Sequence, residues 1–290
     1  MNPKVKSFYH HDTFTWTHVV SCLETKKAVI IDPVLDYNPN NANTSTESID
    51  GILDYLNQKG LSLHCILETH AHADHITSAA YIVQRLKVKV AIGIQIQSVQ
   101  KTFKEIFNLD DSFKTDGSQF NQLLKGGDEI QVGELSIKVI HTPGHTNDSM
   151  SFVCGDCVFI GDTLFSPDYG SARCDFPGGD AGKLFDSVQK IYALGKNKKL
   201  YLCHDYPPVT RKEQSWFLSS VQQSENIHLN QSSKKEDFVQ MREQRDAQLN
   251  QPKLIIPSIQ INIRAGNLPK SESNGKTYLK IPLNVIGKVH

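Results

Sequence analysis

The sequence has no excess of charge of either sign: 31 Lys and Arg stand against 31 Asp and Glu, interspersed along 290 residues. Such a chain offers no electrostatic footprint for nucleic acid or an anionic membrane surface. Long apolar runs are missing too. No stretch approaches the roughly 18 consecutive apolar residues of a membrane-spanning helix. The opening MNPKVKSFYHHDTFTWTHVV has no apolar core leading to a small-residue cleavage site. These absences exclude polyanion-binding and membrane-spanning classes, and a soluble cytoplasmic protein is the expectation. There is no low-complexity segment and no internal repeat. Cysteine is sparse, six in all, and reduced thiols are expected in a chain of this kind. No second CxxC accompanies Cys154 and Cys157, so that pair is read as facing across a tight hairpin at Gly155-Asp156.

What is present in quantity is histidine, 12 residues. Around these histidines the chain alternates helix and strand signals. A polar loop from Tyr37 to Ser48 leads into a helix over Glu47 to Lys59, capped by Ser45 or Thr46 and stopped by Gly60. A buried strand follows over Leu63 to Leu67, then a polar segment, a helix from about Asp74 to Leu86, a strand over Val88 to Ile94 and a helix over Ser98 to Phe107. Next comes a hairpin-built sheet, with strands at Glu129–Val132, Leu135–His141, Met150–Cys154 and Cys157–Ile160. A helix over Asp180 to Leu194 precedes a strand over Leu200 to Cys203, and SKKEDFVQMREQRDAQL reads as a surface helix. This alternation predicts a layered α/β fold with its chemistry in loops at strand ends. Residues 1–250 are assigned to one catalytic domain, and 251–290 to a tail packed upon it, since roughly 40 residues bury too little to fold alone.

Four metal-ligating side chains crowd into six residues where the Leu63–Leu67 strand ends: His70, His72, Asp74 and His75. In extended backbone, residues two apart face the same way, so His70 and His72 address one point and Asp74 and His75 another nearby. Three imidazoles and a carboxylate so close together are costly to desolvate unless a cation is bound. His145 in TPGHT, Asp162 in FIGDT and His204 in LCHDY stand at later strand ends. These seven side chains suffice for three ligands on each of two Zn or Fe ions with one bridging carboxylate. His10, His11, His18, His64, His141, His228 and His290 carry no such argument.

THAHADH, followed by GHT, GD and a late HD, resembles the metallo-β-lactamase fold superfamily over about Phe14 to Tyr206. The resemblance implies an αββα sandwich, two mixed β-sheets flanked by helices, with a metal site along one sheet edge. Within the superfamily the chain is more similar to persulfide dioxygenases than to glyoxalase II enzymes. The similarity lies in Ala172-Arg173-Cys174-Asp175-Phe176, in His204-Asp205-Tyr206, in the run GDTLFSPDYGSARCDFPGGDA, and in NIRAG and YLKIPLN near the end. That branch implies one Fe(II) per chain held by His70, His145 and Asp162. His72, Asp74, His75 and His204 then orient the first ligands or form a second site. The implied substrates are glutathione persulfide and O2, with sulfite and glutathione as products. Glutathione carries two carboxylates, so Arg173 is expected to meet one of them, although a structural ion pair with Asp175 is the competing reading. Tyr206 is expected to donate its hydroxyl to Asp162 or to substrate. The stretch Asn147-Asp148-Ser149-Met150 departs from the pattern and leaves the pocket wall open. The alternative is a dinuclear hydrolase of glutathione thioesters, with Zn in place of iron. No nucleic acid or membrane partner is expected, and a homodimer is left open.

Overall fold

The computed structural model describes residues 2–211, 217–219, 225–230 and 232–286. The first half of the chain runs β1 (Lys4–His10), β2 (Thr15–Ser21), β3 (Lys27–Ile31), β4 (Val34–Asn38), β5 (Asn43–Ser45) and α1 (Glu47–Gln58). It continues with β6 (Ser62–Leu67), β7 (Ile76–Thr77), α2 (Ala79–Leu86), β8 (Lys89–Gly93), α3 (Ile96–Ile106) and β9 (Gln122–Leu124). The second half supplies β10 (Glu129–Val132), β11 (Leu135–His141), β12 (Met150–Cys154), β13 (Cys157–Phe159), α4 (Ala181–Tyr192), β14 (Lys199–Tyr201) and β15 (Phe217–Ser219). Two helices close it, α5 (Lys235–Asp246) and α6 (Ile255–Asn262).

Two six-stranded mixed sheets result, ordered β1-β2-β3-β6-β8-β9 and β10-β11-β12-β13-β14-β15, beside a small β5-β4-β7 sheet. Alternation along the strands explains how they stack. Val20, Val29, Ile31 and Leu67 face inward onto Val132, Ile137, Phe152 and Phe159 of the other sheet. Their neighbours Val19, Ala28, Ile30 and Ile66 point outward and are covered by Ile49 and Ile52 of α1, Ile82 of α2 and Phe103 of α3. On the far side Val158, Leu200 and Leu202 pack beneath Leu184, Val188 and Ile191 of α4 and Phe238 of α5. Sheets buried on both faces need helices on both outer surfaces, and the product is the expected αββα sandwich.

Several boundaries differ from the sequence reading for local reasons. The Tyr37–Ser48 segment is not a simple loop, because Asp36, Tyr37 and Asn38 pair with Ser45, Thr44 and Asn43 in a hairpin. The helix expected from Asp74 begins only at Ala79. Ile76 and Thr77 instead pair with Leu35 and Val34, and the Ser78 amide donates to Pro33 O. The helix over 235–246 is not wholly on the surface, since Phe238, Arg242 and Asp246 are buried. Before Glu47 the sequence reading assigned no strands, yet β1, β2 and β3 lie there. Cys154 and Cys157 are register partners across the β12–β13 turn, and all six cysteines are free and buried. Among the described residues no helix is long and apolar enough to cross a membrane.

Candidate metal centre

β3 and β6 are parallel, as are β13 and β14, so their carboxyl ends emerge along one edge of the sandwich. Loops at the carboxyl ends of parallel strands are where α/β folds gather polar groups. Asp32 follows β3, the His70–His75 loop follows β6, Asp162 follows β13 and His204 follows β14. His145 joins them from the loop between β11 and β12. Gly144 makes that last approach possible. Its φ is +144°, and a Cβ there would collide with the Leu184 backbone at the start of α4.

All seven candidate ligands meet at this edge. Ligand atoms of His70, His145 and Asp162 lie within 4.8 Å of one another. Nε2 of His70 and of His145 stand 3.8 Å and 3.6 Å from Asp162 Oδ2. A second group joins His72, Asp74, His75 and His204 within the same limit. There Asp74 Oδ1 lies 3.3 Å from His75 Nδ1, and Asp74 Oδ2 lies 3.1 Å from His204 Nε2. Asp162 Oδ1 faces His204 Nε2 at 3.4 Å and so spans the two groups.

The ring nitrogens divide into an engaged set and a waiting set. His145 Nδ1 is 2.7 Å from Arg173 O, His70 Nδ1 is 3.1 Å from Thr69 Oγ1, and His72 Nε2 is 3.2 Å from Asp32 Oδ1. Thr15 Oγ1 lies 3.4 Å from His75 Nδ1 and 3.3 Å from His204 Nδ1. Outer partners of this kind fix tautomer and ring orientation around a metal. Five atoms on the inner side have no hydrogen-bond partner although buried: His70 Nε2, His72 Nδ1, His75 Nε2, His204 Nε2 and Asp162 Oδ1. Buried polar atoms are almost always satisfied, so a cluster of orphans made of imidazole and carboxylate is what a transition-metal site leaves when described without its ion. The residues present therefore fit one or two such ions.

Electrostatics agree. Burial pushes the His70 and His72 pKa values well below the usual imidazole range, and that of His145 to about 4, which keeps these rings neutral as metal ligands must be. Burial raises the Asp162 carboxyl to about 7. Burial also opposes charge on His204, but the carboxylates of Asp162 and Asp74 outweigh it and hold that pKa above normal.

The loop carrying the ligands is pinned by residues the sequence reading did not select. Asp32 accepts from the Thr69 amide at 2.7 Å and from Thr69 Oγ1 at 2.9 Å. Asp148 Oδ2 accepts from the Ala71 amide at 2.9 Å. The acidic stretch after GHT thus supports the loop from behind and forms no part of the pocket wall. No motif marks these groups: their roles arise from contacts 37 and 77 residues apart in sequence.

A cavity of about 590 Å3 opens onto His145, Asp162 and Asp74. Phe14, Phe165, Tyr169 and Tyr206 make one wall, with ring centroids 4.7 to 5.6 Å apart. Tyr206 does not reach Asp162; its hydroxyl donates to Asp74 Oδ2 at 3.4 Å. Arg173 lines the cavity, but its guanidinium is taken by a bidentate pair with Asp175 at 2.6 and 2.7 Å and by Asn250 O. The expected cation for substrate is thus already neutralised in this arrangement. Arg242 is likewise paired with Asp246. Arg245 and Lys253 line the same cavity, are exposed, and have no carboxylate partner among the described residues.

Comparison with known proteins gives consistent matches. The Metallo-beta-lactamase superfamily pattern matches residues 12–204. A protein named Glyoxylase B2 from Dictyostelium discoideum is 45% identical over 285 residues, 98% of each chain. A Beta-lactamase hydrolase-like protein from Agrobacterium fabrum is also 45% identical, over 98% of this chain but 65% of its own length, so this chain spans about two thirds of that relative. The mitochondrial Persulfide dioxygenase ETHE1 of Bos taurus is 28% identical, covering 90% of this chain and 88% of its own. Among solved structures, ETHE1 from Myxococcus xanthus superposes with a TM-score of 0.72 at 28% identity, covering 91% of this chain and all of that one.

Proposed function

The chain belongs to the metallo-beta-lactamase superfamily, and we propose that within it this enzyme is an iron-dependent persulfide dioxygenase acting on glutathione persulfide. The balanced reaction takes one persulfide, one O2 and one water to glutathione, sulfite and two protons. One observation carries the reading. His145 and Asp162 of the His70–His145–Asp162 group line the cavity with His70 behind them, whereas of the second group His72, His75 and His204 lie behind it and only Asp74 lines it, its Oδ2 accepting from the Tyr206 hydroxyl. Substrate arriving through the cavity therefore reaches the two-His-one-carboxylate group by way of His145 and Asp162, while no histidine of the second group faces it. The similarity to the bovine persulfide dioxygenase and to ETHE1 from Myxococcus xanthus supports the same reading.

His70, His145 and Asp162 would hold Fe(II), which would supply the redox chemistry between persulfide sulfur and O2. The protein's part is binding and orientation. The aromatic wall of Phe14, Phe165, Tyr169 and Tyr206 offers polarisable faces to a sulfur chain. His145 keeps its Nε2 inward because its Nδ1–H donates to Arg173 O. Arg245 and Lys253 at the mouth meet the glutathione carboxylates, a role in which Arg173 is hindered by Asp175. Iron-loaded protein given glutathione persulfide should consume O2 in step with sulfite release, with close to one iron per chain. Absence of O2 uptake by iron-loaded protein would sink the assignment.

A second reading has its own observation. His72, Asp74, His75 and His204 form a complete four-residue group, three of whose inner nitrogens are orphaned. Ions held at both groups, with Asp162 standing between them, would supply an activated water for hydrolysis of a glutathione thioester, and the relative named Glyoxylase B2 supports this reading. That enzyme would bind about two ions per chain and cleave thioesters without O2.

A further inference from the structure

NIRAG, the motif near the chain's end, lies at the C-terminal end of α6 and after it, at residues 262–266. Asn262 is 4% exposed, and its carboxamide makes three long-range hydrogen bonds. Nδ2 donates to His72 O and to His75 O, both at 2.8 Å, and Oδ1 accepts from the Thr77 amide at 2.9 Å. Only this orientation of the amide satisfies two carbonyls and one N–H together. The three backbone groups bracket Asp74, and the loop they belong to has no helix or strand of its own before Ile76. Its earlier half is pinned by Asp32, by Asp148 and by the Met150 amide, which donates to Thr69 O. Its later half hangs on Asn262.

Neighbouring residues hold Asn262 in place. Ile259 and Ile263 are buried in the same apolar cluster as Ala71 and Ala73 of the loop. Gln100 Nε2 donates to Ile263 O at 2.9 Å. Gly266 has φ +82°, and a Cβ there would come within 2.9 Å of Ala80 N and 3.1 Å of Thr77 O, so the chain presses against the β7–α2 junction.

We infer that Asn262 is a positioning residue of the metal centre: its carboxamide sets the backbone of the His70–His75 loop, which makes the C-terminal tail part of the site. A side chain that fixes two carbonyls flanking Asp74 controls where His72, Asp74 and His75 aim their ligand atoms. The inference needs only a metal at this edge and is independent of whether the enzyme is a dioxygenase or a hydrolase. Asn262→Asp keeps the size and the acceptor for Thr77 but replaces the two donors with an oxygen facing two carbonyls.

The test uses the full chain, stripped of metal and titrated with Co(II) against a competing chelator, with the visible Co(II) spectrum and the thermal midpoint recorded. Asn262→Asp should weaken Co(II) binding by about 10-fold or more, in the range typical of lost outer partners, and alter the spectrum. Ile191→Ala, which removes packing of α4 in a separate apolar cluster, should lower the thermal midpoint while leaving Co(II) affinity within about twofold and the spectrum unchanged, a split of the kind expected when packing and ligand orientation are separate. Wild-type affinity and spectrum in Asn262→Asp would overturn the inference. So would an Ile191→Ala variant that loses as much affinity as Asn262→Asp. If Asn262→Asp does not fold, Asn262→Ser takes its place, and wild-type Co(II) affinity in that variant overturns the proposal equally.

Discussion

Neutralising the two unpaired cations at the cavity mouth, by Arg245→Ala and Lys253→Ala, tests where the substrate's charge is read. Both residues line the cavity, both are exposed, and neither has a carboxylate partner among the described residues. An exposed ion pair is worth about 0.2–1 kcal/mol, which at about 1.4 kcal/mol per tenfold is about 1.4- to 5-fold in KM. Two carboxylates met by two separate cations should behave additively, so the double variant should raise KM for glutathione persulfide by about 2- to 30-fold. The effect should fade as ionic strength rises, because the Debye length is about 8 Å at 0.15 M and shorter above it. kcat should hardly change, since these groups bind ground and transition states alike. Oxygen-electrode kinetics at two salt concentrations provide the assay. Arg173→Ala makes the contrast. It frees Asp175 and breaks the bond to Asn250 O, beside the carbonyl that His145 uses, so it should lower metal occupancy and kcat more than it raises KM. If Arg173→Ala raises KM alone while the Arg245 and Lys253 double variant leaves KM unchanged, the charge assignment made here is wrong.

Three further outcomes follow from the same geometry. His204→Ala should leave close to one ion per chain by elemental analysis if His70, His145 and Asp162 act alone, and should abolish activity if two ions are needed; His70→Ala should end activity either way. Gly144→Ala should cost about 2–4 kcal/mol in denaturant unfolding, from overpacking plus an unfavourable φ, and should lower metal content, because the new methyl meets the Leu184 backbone one residue before His145. His18 is fully buried, and its pKa is lowered to about 4 by burial, against the support of Leu202 O. Between pH 6.5 and 4 the unfolded chain therefore binds the extra proton, so stability should fall as pH falls through that window. The loss is at most about 3 kcal/mol, and an acid-unfolding series should be flatter for His18→Asn.

The part of the site that could be read from the sequence is the part written in consecutive letters. His70, His72, Asp74 and His75 announce themselves because four ligand-type side chains in six residues have no cheap structural use. GHT, GD and HD gain meaning only beside that cluster, each at the end of a strand whose apolar run was visible. Helix α1 and strands β10, β11 and β12 were legible for the same local reason, with periodicity and turn residues agreeing over short spans. Most of what was missed was decided by distant contacts. Asp74 has the chemistry of a helix cap, but β4 captures the residues after it and delays α2 to Ala79. Arg173 is the local exception: the carboxylate two residues on, already the competing reading, fits its fork first. In Asp32, Thr15, Asp148 and Asn262 nothing local distinguishes a supporting residue from an ordinary polar one.

Those two classes of residue do different work, which explains why only one of them leaves a motif. Ligands must be of a few chemical types, so their identity is restricted wherever they occur. Supports need only present one donor or acceptor at the right place, and many side chains at many sequence distances can do that. Asn262 reaches the loop across 185 to 190 residues, and Asp32 across 37. The hand of each imidazole, and therefore which nitrogen faces the metal, is set by this second class. Within one ligand pattern, then, changes in the supports alter how the ligands converge without altering any letter of HxHxDH. A choice between one ion and two need not show in the ligands at all. Here the intact second group and the Tyr206 hydroxyl on Asp74 pull in opposite directions, and Tyr206→Phe is the substitution that separates them. It removes the hydroxyl and leaves the tilted ring contact with Tyr169 and the edge-to-face contact with Phe165. If that hydroxyl is what keeps Asp74 from a second ion, metal content should rise from about one toward two per chain, and persulfide oxidation should fall. Unchanged stoichiometry in Tyr206→Phe would mean that the restriction lies elsewhere in the supporting set.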